Sequence, residues 1–253
     1  MTQLPSHPKD FTRLLAAQYA DFSDDLPWWR RLAKATGGPI LELGCGPGRL
    51  LHPLAADGYQ VTGLDVSPEM IAWAAEHLEP AEAGAIKLAL GDMRRFDLGE
   101  AFGLAIVACN TLAYFDNAEL PEVLAAIRHH LRPGGALGLD LPSTTDLSPS
   151  PETRGPVDTF IEPATGHPVQ VSAETKTSPA QSSVAVTWHY DELLPDGRVT
   201  RHTFPVTYHI RPPVVLEPML ARTGFTESTF YGGYDGRPWT PRASRLVAHA
   251  RVP

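Results

Sequence analysis

Hydrophobic and polar positions alternate between two rhythms along the first 142 residues. PILELGC (39–45), YQVTGLDV (59–66), IKLALGD (86–92), LAIVACN (104–110) and ALGLDLP (136–142) are apolar runs of strand length. RLLHPLAADG (49–58), EMIAWAAEHLE and residues 117–132 instead carry their apolar residues at helical spacing. LAIVACN is apolar almost throughout, as a strand covered on both faces requires. Ser67-Pro68-Glu69 supplies an N-cap, a proline in the first turn and an early carboxylate for the second helix. Gly58 closes the first helix, and Arg132-Pro133-Gly134-Gly135 the third. Strand and helix in alternation predict a parallel sheet with right-handed crossovers.

From Ser143 the rhythm changes. STTDLSPSPETRGP reads as a connection. In SSVAVTWHYDE the period is two: Val184, Val186, Trp188 and Tyr190 share one face, and Ala185, Thr187 and His189 the other. Pro195-Asp196-Gly197 is a turn signal, and RVTRHTFPVTYHI (198–210) alternates again, which predicts an antiparallel hairpin. Helical spacing returns in VVLEPMLARTG (214–224) despite Pro218, and two strands follow, FTESTFYG (225–232) and SRLVAHARV (244–252). The pattern is that of one Rossmann-type α/β domain with a β insertion at about 143–212, not two independent domains.

At 253 residues the chain can bury roughly 70–75% of its unfolded surface, enough for a large single core. The net charge of −8, with acidic and basic residues interspersed, argues against a grip on nucleic acid. No basic segment followed by an apolar one opens the sequence and no run reaches a membrane span, so a soluble, cytoplasmic protein with no membrane partner is expected. Cys45 and Cys109 are the only cysteines, too few for a disulfide framework or a structural zinc site, and no metal is expected.

ILELGCGPGRL (40–50) carries the candidate chemistry. A glycine-rich turn between a first strand and its helix lets the backbone approach a ligand closely. Gly44-x-Gly46-x-Gly48 departs from the dinucleotide fingerprint, which wants its third glycine where Arg49 stands, and the loop lacks the Lys-Ser/Thr pair of a phosphate loop. Glu42, just ahead, suits a ligand with an ammonium or sulfonium charge.

ELGCGPGR resembles motif I of class I S-adenosylmethionine-dependent methyltransferases, and GLDVSPEMI, GDMRRFDL and LRPGGALGLDLP resemble the family's next segments in order. The resemblance covers about residues 10–142, and 213–252 more loosely. The insertion is similar to that of bacterial small-molecule methyltransferases, including sugar N,N-dimethyltransferases. Together with the pattern it implies a Rossmann-like, doubly wound, mostly parallel seven-stranded sheet with an antiparallel last strand. Residues 1–142 and 213–253 would bind S-adenosylmethionine, while 143–212, an antiparallel β insertion, would cover a small-molecule acceptor or form a homodimer.

Residue by residue, the resemblance implies that Gly44, Gly46 and Gly48 pack under the methionine half of the cofactor, with Glu42 near its amino group. Asp65 would take the ribose hydroxyls, Asp92 and Met93 the adenine, and Asn110 would face the transferable methyl. Tyr19 would lie over the sulfonium, and Cys45, Val66 and Met70 complete the wall. The cleft is expected between strands one and four, with Cys45 and Cys109 as neighbours. Tyr19, Trp28, Tyr114, Trp188, Tyr190 and Tyr208 are available to cover it. An amine acceptor needs only to be neutral, whereas a hydroxyl needs a base; the catalytic candidates are Asn110, Tyr114, His189 and His209, with His202 beside them. His129 and His130 are expected on the surface. The alternatives are a nicotinamide-dependent oxidoreductase, which Arg49 and Glu42 disfavour, and a non-catalytic S-adenosylmethionine-binding protein.

Overall fold

The computed structural model describes residues 9–82, 84–143, 157–178, 180 and 182–253. Two helices, α1 (Lys9–Gln18) and α2 (Leu26–Thr36), precede the first strand. The alternating part follows as β1 (Ile40–Leu43), α3 (Leu51–Ala56), β2 (Val61–Asp65), α4 (Pro68–Glu76), β3 (Ile86–Leu90), β4 (Phe102–Val107), α5 (Leu120–His129) and β5 (Leu131–Pro142). After β6 (Asp158–Ile161), β7 (Pro168–Ser178), β8 (Ser183–Leu193) and β9 (Val199–His209), the chain closes with α6 (Pro213–Arg222), β10 (Thr226–Tyr231) and β11 (Arg245–Arg251). Ser67 caps α4 as its position predicts, accepting a hydrogen bond from Met70 N at 3.3 Å.

The main sheet has seven strands in the order β3-β2-β1-β4-β5-β11-β10. β1 pairs in parallel with both β2 and β4, which puts the reversal of strand order between β1 and β4. β11 runs antiparallel to β5 and to β10. β1, β2 and β4 are buried along their whole length, as central strands covered on both faces must be. One face packs α5 and α6 through Leu120, Val123, Leu124, Leu216 and Leu220. The other packs α2 and α3 through Trp29, Leu32, Leu51 and Leu54.

Residues 158–209 hold more than a hairpin: β6 to β9 form a four-stranded antiparallel sheet. Val184 and Val186 are buried as the alternation predicts, and with Tyr208 they join the core of the main sheet. Against the other end of the four-stranded sheet lies α1, where Leu14 packs with Val169, Val171 and Tyr190. Arg13 pins that contact with ion pairs at 2.9 Å to Glu162 and to Glu192. At the end of β9 the buried Arg211 donates to the carbonyls of Phe115 and Leu112 and to Asn117 Oδ1 (2.9 Å), tying this sheet to the loop after β4. Most of the connection read in STTDLSPSPETRGP, residues 144–156, lies outside the described residues.

Two local expectations are corrected. β5 begins at Leu131, before the Pro-Gly-Gly segment, and its pairing with β4 shifts register between Phe102 and Leu104. His130 is buried, stacked on Phe96 at 4.1 Å with its Nε2 accepting from Leu98 N. The ring satisfies a backbone amide that would otherwise have no partner.

Candidate active site

A cavity of about 580 Å³ opens at the carboxyl ends of β1, β2 and β4 and runs beneath α1 and the four-stranded sheet. Its floor is the glycine loop. Gly44 has φ +67°, and a Cβ there would meet Thr111 Cγ2 at 2.5 Å, so only glycine allows the loop to press against the chain leaving β4. Gly46 also has a positive φ, +54°, but no protein atom lies within 4 Å of its Cβ position. The first glycine serves packing and the second keeps the cavity open.

Asp65 ends β2 and holds this loop: Gly46 N donates to Oδ2 and Ser67 N to Oδ1, each at 2.9 Å. Each oxygen keeps capacity for another donor. Glu42 on β1 is 4% exposed, and its Oε2 has no hydrogen-bond partner among the described residues. Burial pushes its carboxyl up to about 8 against the pull of Arg49. A buried acceptor without a donor, at the wall of a cavity, fits an ammonium group arriving from the ligand.

The chain leaves β4 through Cys109 and Asn110, both left-handed, with φ 55° and 65°. Backbone of this kind costs roughly 1–3 kcal/mol per residue and is concentrated at functional sites. Asn110 Oδ1 accepts from Arg245 Nη1 at 3.0 Å. Arg245 also pairs with the fully buried Asp140, whose other partner is the Tyr234 hydroxyl at 2.9 Å. Arg49 forms a two-pronged pair with Asp25 at 2.7 and 2.6 Å and lies over the Phe22 ring. Its Nη2 stands 3.3 Å from Cys109 Sγ, yet burial outweighs it and pushes that thiol up to about 12. Both cysteines line the cavity.

Of the residues singled out from sequence, Tyr19, Glu42, Gly44, Cys45, Gly46, Asp65, Val66, Met70, Met93, Asn110 and Tyr114 line the cavity. Gly48 does not: its Cβ position faces Ala74 and Leu51 behind the loop. Asp92 is also absent from the wall, because Arg94, two residues on, grips both its oxygens and reaches Glu119 as well. His189 and His209 are off the cavity, since period-two alternation turns each away from the face of its neighbour Trp188 or Tyr208. His189 bonds Thr203 Oγ1 instead, at 3.0 Å. Trp28 is core, packed on Tyr231 at 4.7 Å. Sequence reasoning missed Phe11, Gln18 and Arg245, which reach the cavity only through tertiary contacts.

A family model described as a methyltransferase domain matches residues 40–135, from β1 through the glycine loop into β5. Residues 40–135 are thus similar to a methyltransferase domain. Over 140 residues, 53% of this chain and 56% of the relative, the chain is 28% identical to the putative methyltransferase YqeM of Bacillus subtilis (strain 168). Over 97 residues, 38% of this chain and 37% of the relative, it is 33% identical to dTDP-4-amino-2,3,4,6-tetradeoxy-D-glucose N,N-dimethyltransferase of Saccharopolyspora spinosa. The chain thus spans about half or less of the length of these curated relatives. Beyond the matched residues, the likeness to the sugar N-methyltransferase KedS8 from Streptoalloteichus sp ATCC 53650 covers 100% of this chain and 96% of that one, with a TM-score of 0.72 and 23% identity. This last likeness is one of fold.

Proposed function

We propose that the protein transfers the methyl group of S-adenosylmethionine to a nitrogen or oxygen of a small molecule held between the main sheet and the four-stranded sheet. The observation that carries this reading is the single cavity shared by the glycine loop and the ring-bearing wall of β8 and β9. Residues 1–142 and 213–253 serve the cofactor in this reading, and 143–212 the acceptor. Glu42 receives the methionine ammonium, Asp65 the ribose hydroxyls, and Val66 and Met93 flank the adenine. Asn110 and Tyr19 stand where the methyl is handed over.

The chemistry is an in-line displacement at carbon, which asks the protein to hold the nucleophile about 3–3.5 Å from the methyl and to keep water out. Purified protein should bind S-adenosylhomocysteine but not NAD in calorimetric titration. With an acceptor panel, one product should gain a methylene by mass spectrometry. NAD binding without S-adenosylhomocysteine binding would overturn the reading.

Two residue roles are testable by binding alone. Asp65→Ala should weaken S-adenosylhomocysteine at least tenfold, given about 1.5–3 kcal/mol for hydrogen bonds to a charged group. Because Asp65 also holds the loop amides, the decisive comparison uses the 2′-deoxy ligand: wild type should discriminate against it and the variant should not. Equal discrimination by both proteins removes Asp65 from the ribose.

For Glu42 the sign follows from burial. Its carboxyl is protonated up to about pH 8 in the free protein, and a bound ammonium favours the ionised form. Cofactor binding should therefore release a proton below about pH 8, with affinity rising as the pH rises toward that value. Titrations in buffers of different ionisation enthalpy should show more protons released by wild type than by Glu42→Gln. The same count in both would exclude Glu42 as the partner of the ammonium.

A further inference from the structure

The acceptor end of the cavity differs sharply from the cofactor end. Phe11, Trp188, Tyr190, Phe204, Val206 and Tyr208 line it. Phe11 of α1 closes over this wall, its ring 4.3 Å from Phe204 and 6.3 Å from Tyr190. Tyr114 and Tyr208, both lining the cavity, stack at 5.6 Å. Among the described residues, the cations lining the cavity are Arg49 and Arg245, and both are paired with fully buried carboxylates, Asp25 and Asp140. The lining carboxylates, Glu42 and Asp65, sit at the cofactor end.

From this arrangement we propose that the acceptor is a phosphate-free amine with an apolar or aromatic body, and that the methyl goes to its nitrogen. This inference rests on the methyl-transfer reading above and narrows it. A diphosphate-bearing acceptor would have to pull Arg49 or Arg245 from its carboxylate, leaving a buried charge unpaired, which is strongly unfavourable. Rings instead offer apolar area and, to an ammonium, the negative face of their π-systems.

The choice of nitrogen follows from proton chemistry. No histidine lines the cavity among the described residues. The phenols of Tyr19, Tyr114 and Tyr190 are raised, chiefly by burial, and do not act as bases near neutrality. The acceptor must lose its proton without help. An alkylamine with a pKa near 10.4 is about one part in ~10³ neutral at pH 7. An alcohol about as weakly acidic as water, pKa ~15.7, is ionised only to ~10⁻⁹. A phenol starts level with the amine, but burial separates the two: it favours the neutral amine, which reacts, and disfavours the phenolate, which is the reactive form of the phenol. In the step itself the amine lone pair forms the N–C bond as the S–C bond breaks. Sulfur keeps that electron pair and becomes a neutral thioether, and the new ammonium gives its proton to water.

The test uses the full chain with S-adenosylmethionine and three probes: 2-phenylethylamine, 4-ethylphenol and a thymidine-diphosphate-linked amino sugar. Turnover is read by mass spectrometry, and probe affinity on the S-adenosylhomocysteine complex by calorimetry. The expected result is N-methylation of 2-phenylethylamine with a rate rising tenfold per pH unit below the amine pKa. Binding of the nucleotide sugar should be at least tenfold weaker. Trp188→Ala should weaken the amine tenfold or more while changing S-adenosylhomocysteine affinity less than twofold. Preference for the nucleotide sugar, methylation of the phenol alone, or neither binding nor turnover of the amine by protein that binds S-adenosylhomocysteine overturns the inference. Failure to bind S-adenosylhomocysteine would instead count against the methyl-transfer reading itself.

Discussion

Gly44→Ala should lower stability by about 2–5 kcal/mol, a fall in Tm of about 10 °C. The left-handed backbone, φ +67°, accounts for roughly 1–2 kcal/mol of this in any residue with a Cβ. The rest comes from overpacking, typically about 1–3 kcal/mol, because the new methyl lands 2.5 Å from Thr111 Cγ2. Thr111 cannot simply rotate away: its Oγ1 donates to the Ala108 carbonyl at 2.6 Å, at the turn out of β4. Thr111→Ser removes the nearest atom and should recover part of the loss in a double-mutant cycle. Gly46→Ala should behave in the opposite way. With no protein atom within 4 Å of its Cβ position, it carries only the backbone penalty, about 1–2 kcal/mol, while its methyl enters the cavity. S-adenosylhomocysteine affinity should then fall at least tenfold. Thermal melts and calorimetry on the two variants separate these effects, and equal stability losses with equal affinity losses would refute the division of labour.

Arg49→Ala should be the more damaging change to the fold near the site, about 3–5 kcal/mol, or 10 °C or more in Tm. Asp25 has no exposed surface, and after Arg49 leaves, the described side-chain donor remaining to it is Trp29 Nε1 at 2.8 Å. A buried carboxylate stripped of its guanidinium is the expensive case, whereas removing both charges together is often close to neutral. Arg49→Met combined with Asp25→Asn should therefore be more stable than Arg49→Ala alone, because the amide oxygen introduced at position 25 can still accept from Trp29 Nε1. An Arg49→Ala protein within about 1 kcal/mol of wild type would mean the pair does not hold the segment between α1 and α2 to the glycine loop.

Much of this site was legible before any coordinates. The glycines at alternate positions, the acid ahead of them and the acid ending the second strand are all local signals, set by what one strand–turn–helix unit can do, and Glu42, Gly44, Gly46 and Asp65 all reach the cavity. Asp92 looked equivalent in sequence but was captured by Arg94, only two positions away. The spacing permitted both outcomes, and side-chain packing chose the ion pair. β7 was not recognised because only Val169 and Val171 alternate at its start before the strand turns polar. It forms through its ladder with β8, from Val169 opposite Glu192 to Ser178 opposite Ser183.

By itself, the sequence determined the elements with a strong period of their own and the glycine loop, because each depends on contacts within a few residues. Which residues meet across the cavity was decided only by tertiary structure. Arg245 reaches Asn110 across 135 residues of chain, and the Tyr190 hydroxyl reaches Gln18 Oε1 across 172. Pairs so distant leave no periodic trace in the chain; they exist because a buried polar group must find a partner wherever the packed elements supply one.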